Sequence, residues 1–311
     1  MVTITKEHVH FTFSGSHKPV QTVPSGSTVR FETYDCFYNQ LLPEGADITK
    51  IDSSKANAAT GPLCVEEALP GDTLKIEILD ITTGPVGVCG TFPGSSWDNG
   101  ILKEEQFRRL TVKDGMAEFD SAVQIPVRPM IGVIGTAPKE GAVSTMTPMD
   151  HGGNMDCTQI KAGTTLYLPV YVPGALLSMG DLHAVMGDGE VCGCGLEIEG
   201  MVTVRVTVLK DAPFPWPAAI ADDRLIIIAA AKTVESAWKL ATARMEAFIS
   251  SKTGLSHEDT SILLSLCGDL AVCQTVNPMK TVRMELPLNI FKNESGRWKA
   301  KPGGDAAQSS F

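Results

Sequence analysis

The chain lacks several patterns that would place it at once. Its first residues, Met1-Val2-Thr3-Ile4-Thr5-Lys6-Glu7-His8, have no basic head followed by an apolar run, so a secretory leader is not expected. The longest apolar stretch, Leu225 to Ala231, is far too short to cross a bilayer. No basic cluster beyond Arg108-Arg109 offsets the formal charge of −10. Such a surface repels phosphate backbones and anionic lipid, so neither nucleic acid nor a membrane is expected as a partner. The eight cysteines contain no Cys-x-x-Cys pair and no zinc-finger spacing. A chain of this length needs no covalent staples, and they read as reduced thiols of a cytoplasmic protein. A neutral or cationic small molecule meets none of these obstacles.

What is present is glycine and proline, 29 and 19 of them in 311 residues, which implies many turns and short strands. That length predicts two subdomains, or one large β-rich unit with an appendage. A weak repeat supports the β reading. Pro24-Ser25-Gly26-Ser27-Thr28-Val29-Arg30-Phe31-Glu32 is echoed by Pro70-Gly71-Asp72-Thr73-Leu74-Lys75-Ile76-Glu77-Ile78 and by Lys161-Ala162-Gly163-Thr164-Thr165-Leu166-Tyr167-Leu168. Each is a glycine turn releasing a segment that alternates apolar and polar. Val202, Val204, Val206 and Val208 alternate most cleanly, which puts all four on one face of a strand. Residues 1–215 therefore read as a β-rich region of sandwich or barrel-like sheets.

The pattern changes after the proline cluster Pro213-Phe214-Pro215-Trp216-Pro217, which suits a junction. Leu225 to Ala230 reads as a buried strand. Val234, Ala237, Trp238, Ala241, Met245, Phe248 and Ile249 then fall at helical spacing, with Thr233 as cap and Gly254 as stop. Ser256 opens a second helix, Gly268 closes it, and Val282 to Leu286 is β-like. Residues 216–300 are thus expected to be an α+β part, and 301–311 a loose tail. The fold class is mainly β with an α+β C-terminal part. Its many short strands have edges to protect, so a homodimer or a higher even oligomer is expected.

Potential ligands concentrate between residues 150 and 199. One segment runs Asp150-His151-Gly152-Gly153-Asn154-Met155-Asp156, and a second runs Gly180-Asp181-Leu182-His183-Ala184-Val185-Met186-Gly187-Asp188-Gly189-Glu190. The strand-like run Thr165 to Val172 lies between them, so a return of the chain could bring both to one rim. Asp181 and His183 are two apart and point the same way on a strand, as two ligands of one metal would. His151 and Asp156 are candidates to join them. Glu190 either completes the set or takes the proton of a metal-bound water. Asp188, between glycines, could instead bind backbone amides and hold its turn. Gly152-Gly153-Asn154 could offer donors to an oxyanion, or be an ordinary turn. Cys192, near Glu190, could be a nucleophile, but a small packed residue is the simpler reading. His8 and His10 suit an exposed edge strand, and His17 and His257 suit a loop and a helix start.

His151-Gly152-Gly153-Asn154-Met155-Asp156 and Gly180-Asp181-Leu182-His183-Ala184 with Gly187-Asp188-Gly189-Glu190 resemble the signature stretches of the acetamidase/formamidase family. The resemblance extends to Phe31 through Phe37, Asn57 through Pro62, Pro129 through Gly135, Gly254 through Ser256, Gly268 through Leu270 and Val276 through Pro278, covering nearly the whole chain. It implies hydrolysis of formamide, acetamide or a similar short amide to carboxylic acid and ammonia, with a divalent metal, zinc or calcium. On that basis a metal held by Asp181 and His183, with help from the His151–Asp156 segment, would polarise the amide carbonyl. Glu190 would move the proton, and Asn154 or nearby backbone amides would assist the oxyanion. Cys192-Gly193-Cys194 departs from the residues expected there, so no catalytic cysteine is carried over. The competing readings are a non-catalytic binding or metal-stabilised protein of the same fold, and a metal-free cysteine amidase using Cys192.

Overall fold

In the computed structural model, residues 1–95, 97–211 and 214–291 are described. The tail expected at 301–311 lies outside them, as do Pro213 of the proline cluster and the end of the α+β part. Among the described residues, one sheet has nine strands and another has eleven. The protein is mainly β with two helices near its C-terminal end, as expected from the turns and alternation.

The three repeats become three strands of the nine-stranded sheet, Thr28–Thr33, Thr73–Thr83 and Thr165–Pro169. The second and third pair with each other, Leu74 facing Leu168. Gly200–Leu209 runs between the first two and carries the valine alternation. Val202, Val204 and Val206 are buried completely, whereas Val208 is half-buried against the same core. That core is filled by apolar side chains such as Phe31, Ile76, Leu166 and Ile198. Removing such large groups from water is the main force holding the layers together.

Strands on both sides of residue 215 join the nine-stranded sheet: Thr165–Pro169 pairs with Ala218–Ala221, which pairs with Arg224–Ala231. A separate apolar cluster lies here, where helices α1 (Val234–Thr253) and α2 (His257–Cys267) cover the sheet. The capping residues behave as their chemistry requires. The Thr233 side chain accepts from the Ser236 amide, that of Ser256 accepts from the Asp259 amide, and Gly254 ends α1 in a left-handed conformation. Ala237, Ala241, Met245, Phe248 and Ile249 form the buried stripe of α1. Trp238 differs from the expected stripe: it is 37% exposed, with Lys239 over its ring, because it lies one position past Ala237 on the solvent flank.

The eleven-stranded sheet positions the ligand-rich segments. Its Leu177–His183 strand is buried throughout and pairs with Met130–Gly135 on one side. On the other side it pairs first with Ala59–Val65 and then with Glu197–Ile198. Gly152–Asn154 pairs with the far side of Met130–Gly135. Both signature segments thus reach the same region of one sheet.

Candidate active site

Two register positions begin the site. Val133 faces Asn154 on one side and Gly180 on the other, and His183 faces Glu197 on the adjoining strand. Asp156 follows the first strand and Asp181 lies within the second. Gly132 separates them, and a Cβ there would fall 2.6 Å from Asp156 Oδ1 and 2.7 Å from Asp181 Oδ2. Only glycine lets two carboxylates converge at that point.

His183 is the centre of the acids. Its Nε2 lies 3.2 Å from Glu197, 3.6 Å from Asp181 and 4.0 Å from Asp156. Asp156, His183 and Glu190 form one group whose ligand atoms lie within 4.8 Å of one another, and Cys36, Asp181 and Glu197 form a second. Three asparagines tie the acids together. The Asn277 amide donates to Asp156 Oδ2 at 2.6 Å, and that of Asn57 reaches Asp181 Oδ2 at 3.5 Å. With its nitrogen toward the acids, Asn154 donates to Asp156 at 3.0 Å and to Asp181 at 3.2 Å, while its oxygen accepts from Asn57 and Asn277. Asn57, Asp156, Asp181 and Glu190 all hold positive φ angles, 54°, 44°, 55° and 46°. Such backbone costs about 1–3 kcal/mol at each residue and collects at functional sites.

This much buried acid is electrostatically unstable by itself. Burial, then the charge of Asp181, raises Asp156 to about 7. Burial and Asp156 push Glu190 well above the usual carboxylate range, and burial raises Glu197 to about 8. For His183 burial works against the charged form, but Glu197 and Asp181 prevail and hold the imidazole well above its ordinary value. Asp181 Oδ1, Glu190 Oε2, Glu197 Oε2 and His183 Nδ1 are buried without a hydrogen-bond partner. Unpaired acid atoms around an imidazole are a donor set that fits a divalent cation. The oxygens suit calcium; the imidazole, with Cys36 in reach of the second group, suits zinc.

The other expected residues fall elsewhere. The structure does not bring the His151 ring to the acids; it packs edge-on against Phe13 at 5.0 Å, its Nε2 unpartnered, and burial lowers it to about 4. Asp188 does not hold its turn through backbone amides. It accepts a paired contact from the Arg283 guanidinium at 2.8 and 2.7 Å, and another from the Thr158 hydroxyl. Gly152 and Gly153 are strand residues paired to Met130–Gly135 rather than a free oxyanion turn. Cys192 lines a separate cavity of 560 Å³, which shares Glu190 and Cys194 with the acid pocket. His10 lies on an edge strand that pairs, among the described residues, only with Ala59–Val65, and it is half-buried and bonded to the Ser178 hydroxyl at 2.9 Å rather than exposed.

Glu197, Asn57, Asn277 and Cys36 went unassigned by sequence. Cys36, Asn57 and Asn277 stand in turns and bends within stretches that carry the resemblance, and that resemblance was the available signal. Glu197 is the charged residue of a buried strand, and its role follows from facing His183 across the sheet.

Together these features define a mainly β protein with a buried polyacid centre. The acetamidase/formamidase family model matches residues 3–143 and 139–219, and the chain belongs to that family. A crystal structure of an acetamidase from Bacillus halodurans superimposes with a TM-score of 0.91 and 44% identity, covering 93% of this chain and 98% of that one. A formamidase from Methylophilus methylotrophus is 26% identical over 62% of this chain, and an acetamidase from Mycolicibacterium smegmatis 27% identical over 61%. These matches span 62% and 63% of the two relatives, so the chain covers less than two thirds of their length.

Proposed function

We propose that this chain is a cytoplasmic amide hydrolase that cleaves a short amide to carboxylic acid and ammonia, assembled as a homodimer or a higher even oligomer. Family membership supports the reaction type. The observation that carries the reading for this chain is the convergence of Asp156, Asp181, Glu190 and Glu197 on His183 in a buried pocket.

The reaction requires a water to add to the carbonyl carbon, the C–N bond to break, and a proton to travel from that water to the departing nitrogen. Glu190 suits the proton transfer. Burial and a neighbouring acid have raised its affinity for a proton, one of its oxygens is free, and its backbone is held on a glycine-rich loop. Asp156, Asp181 and His183, with Glu197 and Cys36 as further donors, would hold a divalent cation, zinc or calcium. When bound, the cation polarises a carbonyl and acidifies water. Asn154 bridges Asp156 and Asp181, and it assists an oxyanion only if the substrate displaces one of those contacts. The acids also favour ammonium as the product that forms beside them.

The test is ammonia release from formamide and acetamide by the purified chain, with and without a chelator. Release that stops with chelator and returns with zinc or calcium is expected. No release from either amide would favour a binding protein. Release unaffected by chelator but lost on alkylation of Cys192 would favour the cysteine reading. Glu190→Gln keeps the shape and removes the base, so turnover should fall by about 10²–10⁴-fold with metal still bound.

A further inference from the structure

The pocket at the acids is larger than a two-carbon amide needs. Its volume is 330 Å³, room for about ten waters, whereas acetamide fills the space of about three. The surplus space has a defined chemistry. Asn154, Asp181, Glu190 and Glu197 line it, and so do Phe37, Ile48, Ile51 and Phe92, which pack in one apolar cluster, with Asp52, Ser53, Glu105 and the exposed Met146 also on its wall.

That apolar cluster is built rather than incidental. Phe107 stands edge-on to both Phe37 and Phe92, at 5.5 and 5.4 Å, and so fixes the two rings from behind. Ile48 and Ile51 belong to a strap over residues 43–56 that is pinned by Gln40. The Gln40 side chain accepts from the Asp52 amide at 2.8 Å and donates to the Asp52 carbonyl at 3.2 Å and the Phe37 carbonyl at 2.9 Å. The short 3-10 turns of the strap are capped by Asp47 and Asp52. A half-buried apolar surface held this firmly gains by receiving an apolar group.

The two ends orient the substrate. The nitrogen leaves as ammonium and belongs beside the carboxylates, so the acyl group must extend along the aromatic side. We propose that the preferred substrate is a primary amide whose acyl group is apolar and larger than methyl, such as a branched aliphatic or arylacetic amide, seated against Phe37, Ile51, Phe92 and Met146. This rests on the amide-hydrolase reading above. The step is R–CO–NH₂ + H₂O → R–COO⁻ + NH₄⁺: the C–N bond breaks, a C–O bond forms, and the water's protons end on the nitrogen. A substituent on nitrogen would lie among the acids, so secondary amides are poor substrates.

The experiment measures kcat/KM for formamide, acetamide, butyramide, phenylacetamide and N-methylbutyramide on the full chain supplied with zinc or calcium. The expected result is a rise of about fourfold for each methylene added on the acyl side, and release from N-methylbutyramide at least tenfold below butyramide. Ile51→Trp, which fills the apolar end, should lower the ratio of phenylacetamide to acetamide by about tenfold. Formamide or acetamide outperforming both larger primary amides in the unaltered chain overturns the proposal while leaving the hydrolase reading intact. So does an Ile51→Trp variant that turns over amides with an unchanged ratio. Release from none of the amides removes the hydrolase reading and this proposal together.

Discussion

His183 presents one ring nitrogen to three carboxylates and leaves the other without a partner. A close-set Gly195 backs the ring, where a Cβ would lie 2.7 Å from His183 Cγ. The imidazole can therefore neither swing away nor be replaced by a bulkier group. If Asp181 and His183 hold a metal, changing either to Ala lowers both metal content and turnover, and excess metal restores part of the turnover by mass action. Glu190→Gln shows no such recovery, because its defect is in proton transfer. Metal per chain and melting temperature on the three variants check this. Full occupancy in both Ala variants would remove the metal assignment at these positions. Loss of metal in Glu190→Gln would make that residue a ligand rather than a base. His151 shows the limit of reading ligands from proximity in sequence. It stands five residues before Asp156, but the strand between them carries its ring away to Phe13.

At the scale of elements, local signals were legible and pairings were not. Glycine turns, valine alternation and helix caps depend on neighbouring residues, and the strands and helices formed where those signals placed them. Asp181 and His183 do meet, 3.6 Å apart, although the positive φ of Asp181 breaks the regular period of two that the spacing assumed. Glu197 facing His183, and Asn277 reaching Asp156 across 121 residues of sequence, follow only from how the sheets close. Register of that kind is set by the whole core rather than by any local run. The same holds for the tie between the Glu190 loop and the Lys280–Pro287 strand. Arg283 is buried there, grips Asp188 with two contacts, and is itself held by Glu285 at 2.5 Å. Those contacts outweigh the desolvation that would raise Asp188 and hold it below its ordinary value. Asp188→Asn retains the shape and removes the charge. We expect turnover to fall about 10–100-fold, as when supporting partners of a metal site are lost, with the circular-dichroism spectrum unchanged. Turnover equal to that of the unaltered chain would show that the loop needs no such tie.

For the molecule as a whole, the acids set a pH dependence whose sign is fixed. Without a cation, Asp156 lies at about 7 against 3.8 as a free side chain, Glu197 at about 8 against 4.5, and His183 well above 6.5. Each folded value exceeds the unfolded one, so the folded state binds more protons through this window. The contribution of these groups to stability is therefore largest at about pH 4 and declines as pH rises to about 8, opposed up to about 6.5 by His10 and His151, which burial lowers to about 4. Bound zinc or calcium should oppose that decline, since it favours the deprotonated acids. Melting temperatures at about pH 5 and about pH 8, with chelator and with cation, check this; a chelated protein equally stable at both would contradict it. Assembly is tested separately. The nine-stranded sheet ends on the Val2–Ile4 and Asp269–Gln274 strands, and Leu270 on the latter is 49% exposed. Light scattering at micromolar concentration should give an even multiple of the 33.2 kDa chain, and a monomer would refute it.

The Arg283 and Asn277 contacts also bear on how the protein is made. As the chain leaves the ribosome, residues up to 219 already contain both signature stretches and the whole region matched by the family model. Yet the Glu190 loop then lacks its guanidinium tether, and Asp156 lacks its shortest amide donor. From residue 219 to Arg283 a further 64 residues, about 3–13 seconds of translation, must emerge before both partners exist. Until then the candidate donors are all present, but Asp156 and the Glu190 loop lack the contacts that hold them in their final arrangement. Timing of synthesis, and not only sequence, thus decides when this centre is completed.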